Sequence, residues 1–146
     1  MKCYAVIDTN VLVSSLLSKN DLSATSQVVI RMIKGEIIPV YSSKIFAEYY
    51  EVLTRKKFRF PSEQVESLLN TIEKYGILVE PSPTGVVLPD IKDLPFYEVV
   101  MEKRSDDAYL VTGNQKHFPV EPFIITARQM IDILDEKLLS LFVLVF

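Results

Sequence analysis

The 146-residue sequence contains one cysteine, one histidine and 4 glycines. The single Cys3 excludes an internal disulfide and a cysteine-rich zinc site, and we expect a reducing, cytoplasmic compartment. Hydrophobic residues make up 49% and charged residues 24% of the chain, which excludes intrinsic disorder and fibrous repeats. At this length we expect a single folded domain.

Positive charge is also scarce. The chain has 16 Lys and Arg against 19 Asp and Glu, a net charge of -3 and a pI of about 5.2. Such a protein does not hold nucleic acid by a global positive field, so any contact with nucleic acid has to be local.

Long hydrophobic runs are absent as well. The longest, Leu138–Phe146, has about half of the roughly 18 residues that a membrane-spanning helix needs, so we expect no membrane partner. We therefore divide the chain into a domain of residues 1–136 and an apolar tail of residues 137–146. Because exposed apolar segments favour aggregation, we expect the tail to pack as an added strand or across a dimer interface.

Short apolar segments alternate with helix patterns along the domain. The predicted strands are Cys3–Ile7, Ile37–Tyr41, Ile77–Val79, Ala108–Thr112 and Phe123–Ile125. The predicted helices are Val11–Leu17, a helix between Ser23 and Gly35, Lys44–Lys57, a helix between Pro61 and Gly76, Leu94–Lys103 and Ala127–Leu134. This alternation indicates βαβ units and an α/β fold with a mostly parallel central sheet and helices on both faces.

Ligands of parallel sheets bind at the carboxyl ends of the strands, where this sequence places Asp8 and Asn114. Asp8 either caps the following turn or binds a ligand. A phosphatase with an aspartyl nucleophile also begins with an apolar strand and an aspartate. That chemistry needs a second acid two residues on, where this sequence has Asn10.

Three further acids are candidates. Glu48 lies at the edge of the apolar stripe of its helix, whereas Glu51 points further into solvent. The alternative for Glu48 is a partly solvated position on the helix flank. Asp90 and Asp93 stand at the start of a helix, where they either cap it or face the strand ends.

These acids occur without a glycine-rich phosphate loop, a Gly-x-Ser-x-Gly motif or a second histidine. Oxygen ligands suit Mg²⁺ or Mn²⁺. Carboxylates that hold such cations activate water against phosphodiesters. His117 alone is a poor candidate for a metal ligand or a catalytic triad, and we expect it in a surface loop.

One short segment concentrates cations. Between Arg55 and Phe60 the chain interleaves four cations with two phenylalanines, the cations being Arg55, Lys56, Lys57 and Arg59. The segment is either a solvated helix end or a phosphate-binding surface with aromatic rings for base stacking. Lys103, Arg104 and Lys116 are expected to supplement it.

Four segments together resemble the motifs of the PIN domain family, and within it the bacterial and archaeal toxin components of toxin-antitoxin systems. In chain order they are Val6–Ser14, Ala47–Phe58, Asp90–Phe96 and Tyr109–Asn114. The likeness extends from about Lys2 to Leu134. It implies a PIN-like three-layer sandwich and a metal-dependent endoribonuclease with acids around Mg²⁺ or Mn²⁺.

The resemblance also implies roles for individual residues. Asp8, Glu48 and Asp93 would be the catalytic, metal-binding acids. Asn114 stands where the family commonly has aspartate, and it can still coordinate a metal through its carbonyl oxygen. Thr9, Asn10 and Thr112 would form hydrogen bonds to water, phosphate or a ligand carboxylate. Asp90 would contribute indirectly, by supporting the metal-binding acids rather than binding the metal itself.

The partners implied by the resemblance are an RNA substrate held by the basic segment, a cognate antitoxin protein and a second copy of the chain in a homodimer. The alternative is a catalytically inactive PIN-fold module that binds RNA or protein. Asn114 and the acidic pI favour that alternative.

Overall fold

A computed structural model describes residues 2–145. These residues form the strands β1 (Cys3–Ile7), β2 (Ile37–Tyr41), β3 (Ile77–Leu78), β4 (Tyr109–Val111) and β5 (Ile124–Ile125). The helices are α1 (Thr9–Leu17), α2 (Ala24–Ile33), α3 (Ser43–Leu53), α4 (Ser62–Tyr75), α5 (Leu94–Glu102) and α6 (Ala127–Val145). Short 3₁₀ turns lie at Lys56–Phe58, Ile91–Asp93, Arg104–Asp106 and Gln115–His117.

The five strands form one parallel sheet in the order β3-β2-β1-β4-β5. The register places Ile7 of β1 opposite Val111 of β4, and Val111 opposite Ile125 of β5. The central strand is buried along almost its whole length, as expected of a strand covered on both faces. The parallel sheet predicted from the sequence is confirmed.

Helices cover both faces of the sheet. The chain passes from β1 through α1 and α2 to β2, and through α3 and α4 to β3, always in the same direction across the sheet. It returns through α5 to β4 in the opposite direction. Because such crossovers are right-handed, α5 lies on the other face, where it packs against β1, β2 and β4. The predicted α/β sandwich of three layers is confirmed.

The helix that carries Glu48 is shorter than the sequence predicts. A helix from Lys44 to Lys57 was expected, whereas α3 ends at Leu53. The Thr54 hydroxyl donates to the carbonyl oxygen of Tyr50 at 2.7 Å, and the backbone of Thr54 has left helical geometry. Side-chain bonds of this kind offer the backbone an alternative to continuing the helix.

The apolar tail is helical, so the expected added strand is wrong. The helix predicted to end at Leu134 continues as α6 to Val145, and the predicted boundary between residues 136 and 137 falls inside it. Leucine is a good helix former, and no glycine or proline interrupts this segment. Phe146, the last residue of the predicted tail, lies outside the described residues. No helix within residues 2–145 is long and apolar enough to span a membrane.

Candidate active site

The parallel arrangement brings the carboxyl ends of all strands to one edge of the sheet. Asp8 follows β1 and Thr112 follows β4, and these strands are neighbours. Glu48 approaches the same edge from α3, and Asp93 approaches it from the turn before α5. The topology therefore gathers acids that are far apart in the sequence.

Asp8 is a buried carboxylate, with 5% of its surface exposed. It occupies the position before α1, and its side chain forms a hydrogen bond across the sheet. The Thr112 hydroxyl donates to Oδ2 of Asp8 at 2.7 Å. Burial raises the pKa of Asp8 and the nearby charge of Asp93 raises it further, while the Thr112 hydrogen bond lowers it. The backbone N–H groups of Asn10 and Thr9 also lower the pKa of Asp8, so its carboxylate faces the first turn of α1 as well as Thr112, and the turn-capping and ligand-binding roles are both compatible with its position.

Glu48 turns inward from α3, whereas Glu51 faces solvent. The hydroxyl of Thr9 donates to Oε2 of Glu48, while Glu51 pairs with Arg55 on the exposed side of the helix. Burial raises the pKa of Glu48, and the charges of Asp8 and Asp93 add to the increase. Glu48 is partly exposed, as the solvated-flank alternative expects, but its carboxylate accepts a hydrogen bond from Thr9 at the edge with Asp8.

A buried tyrosine anchors α3 against the central strand. The Tyr49 hydroxyl donates to the carbonyl oxygen of Ile7, the residue before Asp8. Its ring is 1% exposed and lies against Phe96 of α5, with 6.4 Å between the ring centroids. This contact fixes the position of Glu48, the adjacent residue on α3, relative to the end of β1.

Asp93 meets the chain's single histidine. Nδ1 of His117 lies 3.0 Å from Oδ2 of Asp93. Burial raises the pKa of Asp93, the hydrogen bond and charge of His117 lower it, and the charge of Asp90 raises it. Asp90 is exposed, and its carboxylate accepts from the backbone N–H of Lys92 at 2.9 Å, so it caps the turn that carries Asp93.

Sequence reasoning missed His117. The expectation of a surface loop is right in that its side chain is 44% exposed, but the turn that carries it folds back onto the edge with Asp93. The available signal was its position three residues after Asn114, in the turn that follows β4.

A PIN domain family model matches residues 4–116, more than half of the chain. The chain belongs to the PIN domain family. The crystal structure of VapBC2 from Rickettsia felis, bound to a DNA fragment from their promoter, contains a chain of similar fold, with a TM-score of 0.51 and 20% sequence identity. The match covers 84% of this chain and 96% of that chain. A comparison with curated proteins gave no match.

The remaining polar residues of this PIN domain differ in exposure. Thr112 is buried and its hydroxyl accepts from the backbone N–H of Asn114 at 3.0 Å. Asn114 is half-buried at the start of the turn that leads to His117, whereas Asn10 is exposed in the first turn of α1. Asn114 is therefore better placed than Asn10 to take part in a site at this edge.

The donor set of the PIN domain fits a hard divalent cation by its chemistry. Asp8, Glu48 and Asp93 offer carboxylate oxygens, and Asn114 offers an amide oxygen, the ligands that Mg²⁺ and Mn²⁺ prefer. The charge of Asp93 raises the pKa of Asp8, the charges of Asp8 and Asp93 raise the pKa of Glu48, and a cation would relieve this repulsion. As they stand, no three His, Cys, Asp or Glu side chains within residues 2–145 form a group that could hold a metal ion. Each carboxylate uses one oxygen in a side-chain hydrogen bond, so binding a cation between them requires the three side chains to come closer together.

The basic segment of the PIN domain lies beyond the far end of α3. Its cations are all exposed: Arg55, Lys56, Lys57 and Arg59. Nη2 of Arg55 is 2.8 Å from Oε2 of Glu51, and Nζ of Lys57 lies 5.1 Å from the centre of the Phe58 ring. Phe58 and Phe60 stack on each other, with ring centroids 5.2 Å apart, and both pack against the core. These rings are therefore largely occupied and offer little surface to a nucleobase.

Lys103 and Arg104, which were expected to supplement the basic segment, have partners elsewhere in the fold. Nη1 of Arg104 donates to the carbonyl oxygen of Ala108 at 2.6 Å, and Nζ of Lys103 is 2.8 Å from Oδ2 of Asp106. Both cations precede β4, at the edge of the sheet opposite the acids, so their position does not favour the predicted contact with RNA held near the acids. Lys116 lies in the turn after β4, on the same edge as the acids.

Proposed function

We propose that this PIN domain is a metal-dependent endoribonuclease that hydrolyses RNA phosphodiester bonds and is the toxin of a toxin-antitoxin pair. The observation that carries the proposal is that the fold brings Asp8, Glu48 and Asp93 to one edge of the sheet. There, the charge of Asp93 raises the pKa of Asp8, and the charges of Asp8 and Asp93 raise that of Glu48. Partly buried acids that raise one another's pKa are typical of catalytic sites.

The residues that would hold Mg²⁺ or Mn²⁺ are Asp8, Glu48 and Asp93, with Asn114 as a neutral ligand. When bound, the cation lowers the pKa of water and stabilises the charge that develops on phosphate oxygens. Thr112 and Thr9 each donate to one carboxylate, which orients Asp8 and Glu48 before any cation arrives. Asn10 is exposed beside Thr9 and is available to a phosphate oxygen.

The RNA strand would reach the acids from the basic segment. Arg59 follows Glu48 by 11 residues, and the helical part of that path rises about 1.5 Å per residue. The two surfaces are therefore within the span of a few nucleotides. Because Arg55 and Lys57 are engaged with Glu51 and Phe58, we expect Lys56 and Arg59 to make most of the phosphate contacts.

A cognate antitoxin protein and a homodimer complete the proposal, together with a cytoplasmic location. The fold shared with the VapBC2 chain, solved as part of a complex on DNA, supports the search for a protein partner of this chain. An antitoxin that covers the edge with Asp8 and Glu48 would block access of RNA to the acids.

A second function is supported by two observations. Asn114 stands where the family that this chain resembles commonly has aspartate, and in residues 2–145 no three His, Cys, Asp or Glu side chains form a group that could hold a metal ion. A PIN-fold module that binds RNA or protein without cleaving it has the same fold and needs no cation. The substitution Asn114→Asp separates the two functions, since it would strengthen Mn²⁺ binding in a nuclease and leave the affinity of a binding module for RNA unchanged or lower.

The decisive experiment is cleavage of an end-labelled mixed RNA pool by the purified protein in Mn²⁺, in Mg²⁺ and in EDTA. We expect cleavage that requires metal and is lost in Asp8→Asn and Glu48→Gln, with unchanged circular dichroism. Glu51→Gln is the matched control, because Glu51 lies on the same helix and faces solvent. No cleavage, together with no Mn²⁺ binding by calorimetry, would reject the nuclease and favour the binding module.

A further inference from the structure

The contact between His117 and Asp93 joins two separate parts of the fold. Asp93 ends the turn before α5, and His117 ends the turn after β4, 24 residues further on. The Asp93 carboxylate turns to His117 rather than to the amides of its own helix. Its orientation is therefore set from outside α5.

The turn that carries His117 is firmly held. The backbone N–H of His117 donates to the carbonyl oxygen of Asn114 at 3.0 Å, and Nε2 of Gln115 donates to the carbonyl oxygen of Ile124 at 3.0 Å. Phe118, the next residue, is buried in the core. These contacts hold the backbone of the turn against β5 and the core, so the imidazole projects from an ordered turn.

Asp8, Glu48 and Asp93 each have a side-chain hydrogen-bond partner from another part of the chain. The hydroxyl of Thr112 donates to Asp8 and that of Thr9 donates to Glu48, whereas the partner of Asp93 is the imidazole of His117. An ionised carboxylate can only accept hydrogen bonds, so Nδ1 carries the proton in this pair. Oδ2 of Asp93 is thereby engaged, and Oδ1 is left for another partner.

We propose that His117 is a positioning residue, whose Nδ1–H holds Oδ2 of Asp93 so that Oδ1 is presented to a divalent cation. This inference rests on the proposed function, because it concerns the same metal site. A donor behind a ligating group orients that ligand, and removing such a donor typically weakens metal binding by about 10-fold to 100-fold.

The test is a Mn²⁺ titration followed by the electron paramagnetic resonance signal of free Mn²⁺, a measurement that does not depend on activity. We expect His117→Ala to weaken Mn²⁺ binding about 10-fold. His117→Asn, whose side-chain amide can donate from nearly the same place as Nδ1, should restore the affinity to within about twofold. Val120→Ala is the matched control, because Val120 follows His117 by three residues, carries no charge and is fully exposed. An unchanged affinity in His117→Ala overturns the proposal.

A double-mutant cycle separates positioning from a general structural role. In an Asp93→Asn background, His117→Ala should weaken Mn²⁺ binding no further, because the carboxylate that it orients is gone. An equal loss in both backgrounds contradicts the proposal. If His117→Ala does not fold, His117→Asn decides in its place, since a large loss in that variant also contradicts the proposal.

Nuclear magnetic resonance distinguishes failure of this inference from failure of the proposed function. The chain has one histidine, so its imidazole nitrogens give a single assignable set of signals. We expect the proton on Nδ1, and we expect Asp93→Asn to shift the Nδ1 resonance. If the wild-type protein binds no Mn²⁺ but shows both features, the metal proposal fails while the orienting contact stands. A proton on Nε2 alone overturns the contact itself.

Discussion

At the scale of single residues, the acids of the site oppose folding while no cation is bound. Burial raises the pKa of Asp8, Glu48 and Asp93, and like charges add to the increase for Asp8 and Glu48. Each carboxylate therefore holds its proton more tightly in the folded chain than in the unfolded chain. Keeping these groups ionised at neutral pH costs stability, as functional sites commonly do.

The first prediction concerns Asp8 and pH. Between its ordinary pKa of 3.8 and its raised pKa, the folded chain binds more protons than the unfolded chain, so the free energy of unfolding falls as pH rises through this range. In EDTA at pH 7, Asp8→Asn should therefore raise the free energy of unfolding by about 1 kcal/mol. Urea unfolding at pH 7 and pH 4 measures this. If Asp8→Asn raised the free energy of unfolding equally at both pH values, the raised pKa of Asp8 would not be the cause.

The second prediction concerns Thr9 and Glu48. The Thr9 hydrogen bond lowers the pKa of Glu48 against the effect of burial, so Thr9→Val should raise that pKa further. Thr9→Ser keeps the hydroxyl and should leave the pKa close to the wild-type value. Carbon-13 titration of the Glu48 carboxyl measures both variants. If the valine and serine variants titrate alike, the hydroxyl does not hold the carboxylate as the structure shows.

At the scale of elements, one glycine is required by close packing between α4 and the sheet. A Cβ atom on Gly76 would lie 2.4 Å from the carbonyl oxygen of Ile72 and 2.8 Å from that of Pro39. Both neighbours are backbone atoms, so α4 or β2 would have to move.

The third prediction follows from this packing. Gly76→Ala should lower the free energy of unfolding by about 1–3 kcal/mol. Gly113→Ala is the matched control, because a Cβ atom there meets nothing within 4 Å, and it should change stability by less than about 1 kcal/mol. Chemical denaturation of both variants is the measurement, and similar losses in the two would argue against the close approach at Gly76.

Strands and helix starts could be predicted from the sequence because they depend on local patterns. The continuous apolar run of β1 and the serine caps of α2 and α3 are short-range signals, and the structure agrees with them. The end of α3 and the length of α6 could not be predicted so well. The end of α3 depends on the hydrogen bond of one side chain, that of Thr54. The length of α6 depends on the absence of a glycine or proline that would end the helix.

In the candidate site, too, some features could be predicted from local sequence patterns and others could not. The inward position of Glu48 follows from the apolar stripe of its own helix, so the sequence could predict it. The contact of His117 with Asp93 spans 24 residues and depends on how the turn after β4 folds back, which no local pattern encodes. The pairing of Arg55 with Glu51 spans four residues of one helix and could be predicted. Which cations of the basic segment remain available to RNA could be judged only from the positions of all four in the structure.

At the scale of the whole molecule, the fourth prediction concerns how an acidic protein holds RNA. With a net charge of -3, binding depends on a few cations near the acids. Lys56→Ala and Arg59→Ala, made in an Asp8→Asn background to prevent cleavage, should each weaken RNA binding and lower the slope of the salt dependence by about 1. Lys34→Ala, an exposed cation after α2, is the control. Equal effects of all three substitutions would indicate that only the total charge matters.

The end of α6 carries a run of exposed apolar side chains. From Leu138 to Val145 the helix is apolar on every side except at Ser140, and the exposed fractions of Leu144 and Val145 are 84% and 70%. A helix that is apolar all round is normally buried. This segment is therefore the part of the described chain most in need of a covering partner.

The fifth prediction is that the covering partner is a second copy of the chain. Leu141→Lys with Leu144→Lys should reduce the mass in solution to that of one chain, because charges at these positions would have to be desolvated in the interface. Val120→Lys is the control, since Val120 is also apolar, is fully exposed and lies outside α6. Light scattering coupled to size-exclusion chromatography measures the mass. If the wild-type protein is already a monomer and the double substitution changes neither its mass nor its solubility, the tail does not join two copies.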